Sequence, residues 1–213
     1  MADPQFDQYE YVAVIIPGAA LLLGLGVEWP QSLHLGFDKQ LSLGDLGIFV
    51  VAAYLTGQLV QALAEIFERF FWTPMGGLPT NWVLAPGQSL ISPGQRERLA
   101  DQVKKKLPDP AFTFPRDDHA GRTAWFPITR QMYALLSAAQ RASRIDAFNR
   151  TYGLMRGIAV AFLILVVVYL VVDAARWWLA VLALILAGLA LLRFYLFGKD
   201  YARELFAQFL ALP

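Results

Sequence analysis

Hydrophobic residues are concentrated in four uncharged segments of the chain, and polar stretches separate these segments. A helix that crosses a bilayer needs about 20 mainly apolar residues, within a range of about 17–25. The pattern therefore predicts four membrane spans arranged as two helical hairpins. The uncharged segments are 11–27, 46–64, 157–172 and 177–192, and the predicted spans cover about 11–27, 46–66, 155–172 and 177–197.

The stretch between the two hairpins has the polar composition of a soluble helical region. The predicted fold class is therefore an all-α integral membrane protein with a helical cytoplasmic region inserted between its hairpins. Its predicted parts are an N-terminal hairpin at 1–72, the inserted region at 73–150, a second hairpin at 151–198 and a tail helix at 199–213.

Local signals divide the inserted region. Ser92 and Gln95 have the spacing of a capping box, and a proline follows Ser92, so a helix is expected from there to about Lys106. The next stretch, 107–127, contains four prolines and is expected to be a loop. Apolar residues then recur at helical spacing from Ile128, which predicts one helix running into the third span. A bend is expected at Gly153 or Gly157.

The tail helix is amphipathic, with Tyr201, Leu205, Phe206 and Phe209 on its apolar face. Two interpretations remain open for this face. It packs on the soluble helices, or it lies in the membrane interface.

Composition supports the membrane assignment. The chain is 57% hydrophobic and 16% charged, whereas soluble proteins average about 45–50% and about 25%. It has no cysteine, which excludes disulfides and thiolate chemistry. Its first ten residues lack lysine and arginine, so the first apolar segment is expected to remain as an anchor rather than to act as a signal peptide.

The distribution of basic residues predicts the orientation. With four spans, Lys39 and Arg176 lie on one side of the membrane, and the other 16 of the 18 basic residues lie with the termini and the inserted region. Cytoplasmic loops carry the excess of lysine and arginine. The prediction is a bacterial inner-membrane protein with both termini in the cytoplasm.

A polar stripe interrupts the second apolar segment and is the main candidate site. At about 100° per residue its members share an arc of roughly 80° on one helix face. Because lipid offers no hydrogen-bond partner, the stripe should face protein, another subunit or water. The stripe consists of Tyr54, Gln58, Gln61 and Glu65, and Arg69 continues the series on the same face.

Three roles for the stripe remain open: hydrogen bonds to neighbouring spans, the lining of a pore, or a catalytic function. Charged residues at the predicted inner boundary suggest an ionic layer beside it. That layer would consist of Glu65, Arg69, Arg156 and Arg193.

Motifs for catalysis and metal binding are missing from the sequence. His34 and His119 are predicted on opposite sides of the membrane, and there is no H-E-x-x-H, phosphate-binding loop or G-x-S-x-G turn. We therefore expect no catalytic residues, no metal, no cofactor and no enzymatic activity.

Basic residues in the inserted region suggest contacts with an anionic partner. No aromatic platform is interleaved with them, so nucleic acid is not an expected partner. A solvated helix face, or a face towards anionic lipid at the inner leaflet, fits better. The expected contact residues are Lys104, Lys105, Lys106, Arg141 and Arg144. A phosphorylated ligand held by Arg130, Arg141, Arg144 and Arg150 is a separate hypothesis.

Two resemblances bear on function. The segment Tyr54-Leu-Thr-Gly-Gln-Leu-Val-Gln-Ala-Leu-Ala-Glu, then Trp72 and Gly76-Gly77-Leu78-Pro79-Thr80-Asn81-Trp82, resembles a broad group of uncharacterised bacterial four-span membrane proteins. The order of helical stalk, hairpin and tail helix is loosely similar to two-span effectors of bacterial antiviral systems. The latter resemblance implies a protein that oligomerises and disrupts membranes when a signal arrives.

These observations lead to two functional hypotheses. The first is a homo-oligomeric pore or membrane-disrupting effector that is controlled through its cytoplasmic region. The alternative is a non-conducting membrane scaffold that binds a soluble cytoplasmic partner.

Overall fold

The computed structural model describes residues 8–29, 42–85, 87, 90–107, 112–172 and 174–213. His34 and Lys39 lie outside this described part of the chain. Within it the fold is all-α, as predicted, and no strand occurs. The α-helices are α1 (Gln8–Glu28), α2 (Leu43–Trp72), α3 (Pro93–Lys106), α4 (His119–Ala138), α5 (Ser143–Val172) and α6 (Trp177–Leu210). Short 3₁₀ segments lie at Thr73–Met75, Pro79–Leu84 and Ala174–Arg176.

Three of these helices, α2, α5 and α6, are long and apolar enough to cross a membrane. They correspond to three of the four predicted spans. The apolar part of α1, Val12–Glu28, is shorter, and Pro17 lies inside that helix.

The chain divides into two compact units. Unit 1 comprises Met1–Glu68 and Arg150–Tyr195, and unit 2 comprises Arg69–Asn149 and Leu196–Pro213.

Small residues allow the helices of unit 1 to pack closely. A Cβ added at Gly18 of α1 would lie 1.9 Å from the Ala53 carbonyl oxygen, and one at Gly57 of α2 would lie 2.0 Å from the Val14 carbonyl oxygen. In a lipid environment such close backbone approach drives helix association. The alanine stripe of α6 is likewise buried within the chain, at Ala180, Ala183, Ala187 and Ala190.

The outer surface of unit 1 is apolar. Leu55 and Leu59 of α2, Val171 of α5 and Ile185 of α6 are all more than half exposed. Large apolar side chains at this density are rare on the surface of a soluble protein. This surface suits contact with lipid.

Unit 2 has its own hydrophobic core, in which α4 is central. Trp125, Met132 and Leu136 of α4 are completely buried, and the Trp125 indole nitrogen donates to the Thr80 carbonyl oxygen at 2.8 Å. The other fully buried core residues include Leu99, Ile145, Ala202, Leu205, Phe206 and Phe209.

The predicted tail helix is the C-terminal part of α6. Its apolar residues Leu205, Phe206 and Phe209 are buried in the core of unit 2. Of the two interpretations of this face, the structure therefore favours packing on the helices of the inserted region.

The capping box that begins α3 is present as predicted. The Ser92 backbone nitrogen donates to the Gln95 side chain at 2.9 Å, and the Gln95 backbone nitrogen donates to the Ser92 hydroxyl at 3.2 Å. The helix ends at Lys106, as expected.

Two predictions for the inserted region are wrong. Part of the expected loop is helical, because Asp118 caps α4 by accepting from the Gly121 nitrogen at 2.7 Å. Pro127 lies inside α4 and has no backbone N–H to donate to the Thr123 carbonyl oxygen four residues earlier. Both residues are exposed. The helix expected to run from Ile128 into the third span is also interrupted, because α4 ends at Ala138 and Gln140 turns the chain with a φ of 58°.

Candidate functional site

The polar stripe of α2 divides between the interior and the surface of unit 1. The buried line of α2 is formed by Ala53, Gly57, Val60 and Ala64. Gln61 lies at the edge of this line and is half-buried, and Tyr54 is also half-buried. By contrast, Gln58 and Glu65 are exposed. The single face predicted from the sequence therefore crosses from the helix interface to the outer surface.

Gln61 connects three helices. Its amide nitrogen donates to the Ala13 carbonyl oxygen of α1 at 3.0 Å and to the Gly153 carbonyl oxygen of α5 at 3.3 Å. Its amide oxygen accepts from the Arg156 Nη2 of α5 at 3.2 Å. The donor and acceptor groups of this side chain are thus both engaged within unit 1.

An ion pair adjoins this amide. Arg156 Nη1 donates to Glu68 Oε2, and the Tyr152 hydroxyl donates to Glu68 Oε1 at 2.5 Å. The side chains of Arg156 and Glu68 are only 16% and 17% exposed. We call Gln61, Glu68, Tyr152 and Arg156 the buried network.

Aromatic packing and a glycine position this network. The Tyr152 ring stacks on Phe194 of α6 with a centroid separation of 4.5 Å. A Cβ at Gly157 would lie 2.6 Å from the Gln61 amide nitrogen and 2.8 Å from the Pro17 Cγ. Gly157 therefore provides space for Gln61, and α5 continues as a helix through both Gly153 and Gly157, where a bend was expected.

One residue of the predicted ionic layer, Arg156, forms an ion pair with a carboxylate that the prediction did not include. Arg156 is ion-paired, but its partner is Glu68 rather than Glu65. Glu65, Arg69 and Arg193 are exposed on the single chain. Glu68 lies two helical turns after Gln61, so the same periodicity that marked the stripe could have identified it.

A second buried carboxylate, Glu28, lies where α1 ends and was missed by the sequence analysis. Its side chain is 4% exposed, and Glu28 Oε2 lies 3.8 Å from the Arg176 guanidinium. Nearby, the Tyr169 hydroxyl donates to the Gly24 carbonyl oxygen at 2.8 Å. Arg176 also donates to the Val27 carbonyl oxygen at 3.4 Å. These contacts connect α1 with α5 and with the 3₁₀ segment that precedes α6.

Of the five basic residues expected to contact an anionic partner, two donate to backbone carbonyl oxygens, one lies near a carboxylate and two are exposed on α3. Arg141 donates to the Ala211 carbonyl oxygen at 2.8 Å, and Lys106 donates to that of Pro213. Arg144 lies 3.6 Å from Glu204 and is 70% exposed. Lys104 and Lys105 are exposed on α3.

The pKa of Tyr133 in unit 2 is strongly raised. The Tyr133 hydroxyl donates to the Asp146 carboxylate at 2.6 Å. This hydrogen bond, with a smaller contribution from burial, raises the pKa of Tyr133 to about 12. Tyr133 therefore remains a neutral donor throughout the physiological range.

The buried network has the chemistry of a structural connection. Each Glu68 oxygen already accepts a hydrogen bond, and the positive charge of Arg156 is compensated. Within the described chain, no group of three histidine or carboxylate side chains is placed to hold a metal ion.

These features define the class of the molecule as a helical membrane protein with an ion-paired network buried in its apolar unit. The sequence matches no protein-family model, and neither curated proteins nor solved structures give a match.

Proposed function

We propose that the protein is a homo-oligomeric, non-enzymatic bacterial inner-membrane protein with a polar path between its subunits along the outer face of α2. One observation carries this proposal. Gln58 and Glu65 are exposed on the single chain although they belong to an apolar helix. A polar side chain that faces lipid loses its hydrogen bonds with water at a cost of several kcal/mol. Association of subunits along this face, or water between them, removes that cost.

The interior of unit 1 supports a path between subunits rather than through one of them. The Gln61 amide is already bonded to α1 and α5. The backbones of α1 and α2 also approach too closely at Gly18 and Gly57 to admit even a methyl group. The polar side chains of α2 that remain accessible at membrane depth are therefore those on its outer face.

The spacing of the outer face suits helix pairing. Exposed residues follow one another at intervals of four and three, which is the heptad spacing of helices that supercoil. Ala62, at the centre, would allow two such helices to approach closely. This face consists of Val51, Leu55, Gln58, Ala62 and Glu65.

In this proposal α1 provides a fourth span. Its apolar part, Val12–Glu28, corresponds to a length of about 26 Å at 1.5 Å per residue, which is at the short end of the range for a span. The distribution of basic residues supports cytoplasmic termini and a cytoplasmic unit 2. Unit 2 would then receive the signal that controls unit 1. Effectors of antiviral systems are controlled in this way, and the analogy with them is one of architecture alone.

Reconstitution of the full chain in liposomes tests the proposed path. We expect dye or ion release from wild-type proteoliposomes and a marked reduction with Gln58→Leu and with Glu65→Ala. Val171→Leu, an apolar change on the exposed face of α5, serves as the control and should leave release unchanged. Unchanged release with both α2 variants would contradict the proposal.

Crosslinking tests the proposed interface separately. The natural chain has no cysteine, so Ala62→Cys introduces a unique thiol. We expect a crosslinked dimer in membranes with Ala62→Cys and none with Ile185→Cys on the exposed face of α6.

The second candidate function is a non-conducting scaffold that binds a soluble partner. The hydrogen bonds of the buried network favour it, because they hold α1, α2 and α5 together. Sealed proteoliposomes, together with stoichiometric copurification of a soluble protein, would support the scaffold.

A further inference from the structure

A groove of about 510 Å³ lies within unit 2, between α3 and the C-terminal end of α6. Five polar residues of α3 form one wall, and the floor is formed by two apolar residues at the end of α6 and by the alanine that follows the helix. The lining residues are Gln95, Arg98, Asp101, Gln102, Lys105, Ala207, Leu210 and Ala211.

The wall has an ordered charge pattern. Arg98 and Lys105 are seven residues apart, which places them two turns, or about 10.5 Å, from each other along α3. Asp101 lies between them, so the wall presents positive, negative and positive groups in turn. All three side chains are exposed, and none forms an ion pair among the described residues.

The floor has the periodicity of one helix face. Its three residues are separated by intervals of three and one along the chain, and they are Ala207, Leu210 and Ala211. The two alanines are exposed. Small apolar residues at such positions admit the side chains of a second helix between them. The floor therefore suits an apolar helix face more than a purely charged ligand.

Gln102 provides an independent observation at the centre of the groove. Its side-chain oxygen is buried and has no hydrogen-bond partner in the described part of the chain. A buried acceptor without a partner costs about 1–3 kcal/mol. Because this oxygen has almost no accessible surface, a donor on an occupant of the groove would remove this cost only after the Gln102 side chain rotates towards it.

We infer that the groove binds an amphipathic helix of a partner protein whose charges complement the wall. The occupant carries carboxylates at positions i and i+7, which pair with Arg98 and Lys105. A lysine at i+3 or i+4 faces Asp101 and, once the Gln102 side chain has rotated, donates to its oxygen. Alanine and leucine lie on the floor, as an amphipathic helix does in a hydrophobic groove. The wall from Gln95 to Lys105 is about 15 Å long, enough for about ten residues of helix.

This inference concerns unit 2 alone, so it goes beyond the proposed path through the membrane. It stands whether or not the bilayer conducts, and the failure of either proposal leaves the other intact.

Binding of two synthetic helices to the full chain in detergent micelles tests the inference. One labelled, helix-stabilised 14-residue peptide carries the Glu–Lys–Glu pattern on an alanine–leucine face. The second carries Lys–Glu–Lys at the same positions. We expect fluorescence anisotropy to show saturable binding of the first peptide and at least about tenfold weaker binding of the second, because like charges then face each other.

Adjacent lysines provide a matched pair of variants. Lys105→Glu should weaken binding of the Glu–Lys–Glu peptide at least about fivefold. Lys104→Glu, which is the same change outside the groove, should alter this binding less than about twofold. Ala207→Trp fills the floor and should abolish binding. Circular dichroism of each variant checks that the fold is retained.

Three outcomes would overturn the inference. One is equal binding of the two peptides or no binding of either. Another is an equal loss with Lys104→Glu and Lys105→Glu. The third is that phosphatidylglycerol vesicles, but not the peptides, bind in a Lys105-dependent manner, which would identify a lipid surface as the occupant.

Discussion

Arg156 of α5 is paired with Glu68 of α2, and not with Glu65 three residues earlier on the same helix. The difference decides which of two carboxylates supports the fold of unit 1. The Glu68 side chain is largely buried and accepts from both Arg156 and Tyr152, whereas Glu65 is exposed.

Glu68→Gln should destabilise the protein strongly, because Arg156 would remain buried without a compensating charge. Breaking a buried ion pair on one side costs about 3–5 kcal/mol. The measurement is the free energy of unfolding of the purified chain in detergent. Glu65→Gln is the matched control and should change stability by less than about 0.5 kcal/mol.

The combined variant Glu68→Met, Arg156→Met gives a further check on this pair. It should be more stable than either single variant, since it removes both charges and leaves neither unpaired. An equal loss of stability with Glu65→Gln and Glu68→Gln would show that the assigned partner of Arg156 is wrong.

The two glutamines of α2 should separate stability from activity. Gln61→Leu removes the amide that bonds to α1 and α5, and we expect a cost of about 1–3 kcal/mol. Gln58→Leu changes an exposed side chain and should leave the unfolding of a single chain nearly unchanged. It should nevertheless reduce membrane permeability and subunit crosslinking.

Unfolding in detergent and crosslinking in membranes, measured on both variants, test this distinction. If Gln58→Leu destabilises the monomer as much as Gln61→Leu does, the division of the stripe is incorrect.

The sequence was sufficient to predict the helical class and three helices that are long and apolar enough to cross a membrane, because lipid permits long uncharged runs to exist only as helices of a minimum length. The start of α3 was also predictable. Ser92 and Gln95 form reciprocal hydrogen bonds between backbone and side chain, so the capping box does not depend on the rest of the fold.

The face of α2 that becomes buried was not predictable from polarity alone. An arc of roughly 80° contains both the edge of the packed face and part of the outer face, and close packing at Gly57 determines which residues turn inward. The turn after α4 was missed for a different reason. Gln140 adopts a left-handed conformation that a sequence normally marks with glycine.

The hydrogen bond between Tyr133 and Asp146 should be visible in an alkaline titration. It raises the pKa of Tyr133 to about 12, whereas a free tyrosine has a pKa of about 10. The absorbance of tyrosinate in wild-type protein minus that in Tyr133→Phe should therefore rise with a midpoint near pH 12.

The sign of the linked effect on stability follows from the same shift. Because the folded state has the higher pKa, the contribution of Tyr133 is complete below about pH 10 and is lost as the pH rises through about 12. Asp146→Asn should move the midpoint towards the ordinary value, since it removes the charged acceptor. A midpoint near pH 10 in the wild-type protein would mean that the hydrogen bond is not maintained in solution.

Substitution by alanine should affect stability differently at two glycines of α2. At Gly57 a methyl group would lie 2.0 Å from the Val14 carbonyl oxygen, which is backbone and cannot move aside without separating α1 from α2. At Gly47 nothing lies within 4 Å. We therefore expect Gly57→Ala to lower the melting temperature in detergent and to reduce the monodisperse fraction in size-exclusion chromatography. Gly47→Ala should be neutral or stabilise the helix by about 0.5–1 kcal/mol. Because both changes add the same atoms to the same helix, an equal response would mean that the close contact of α1 with α2 does not exist in the folded protein.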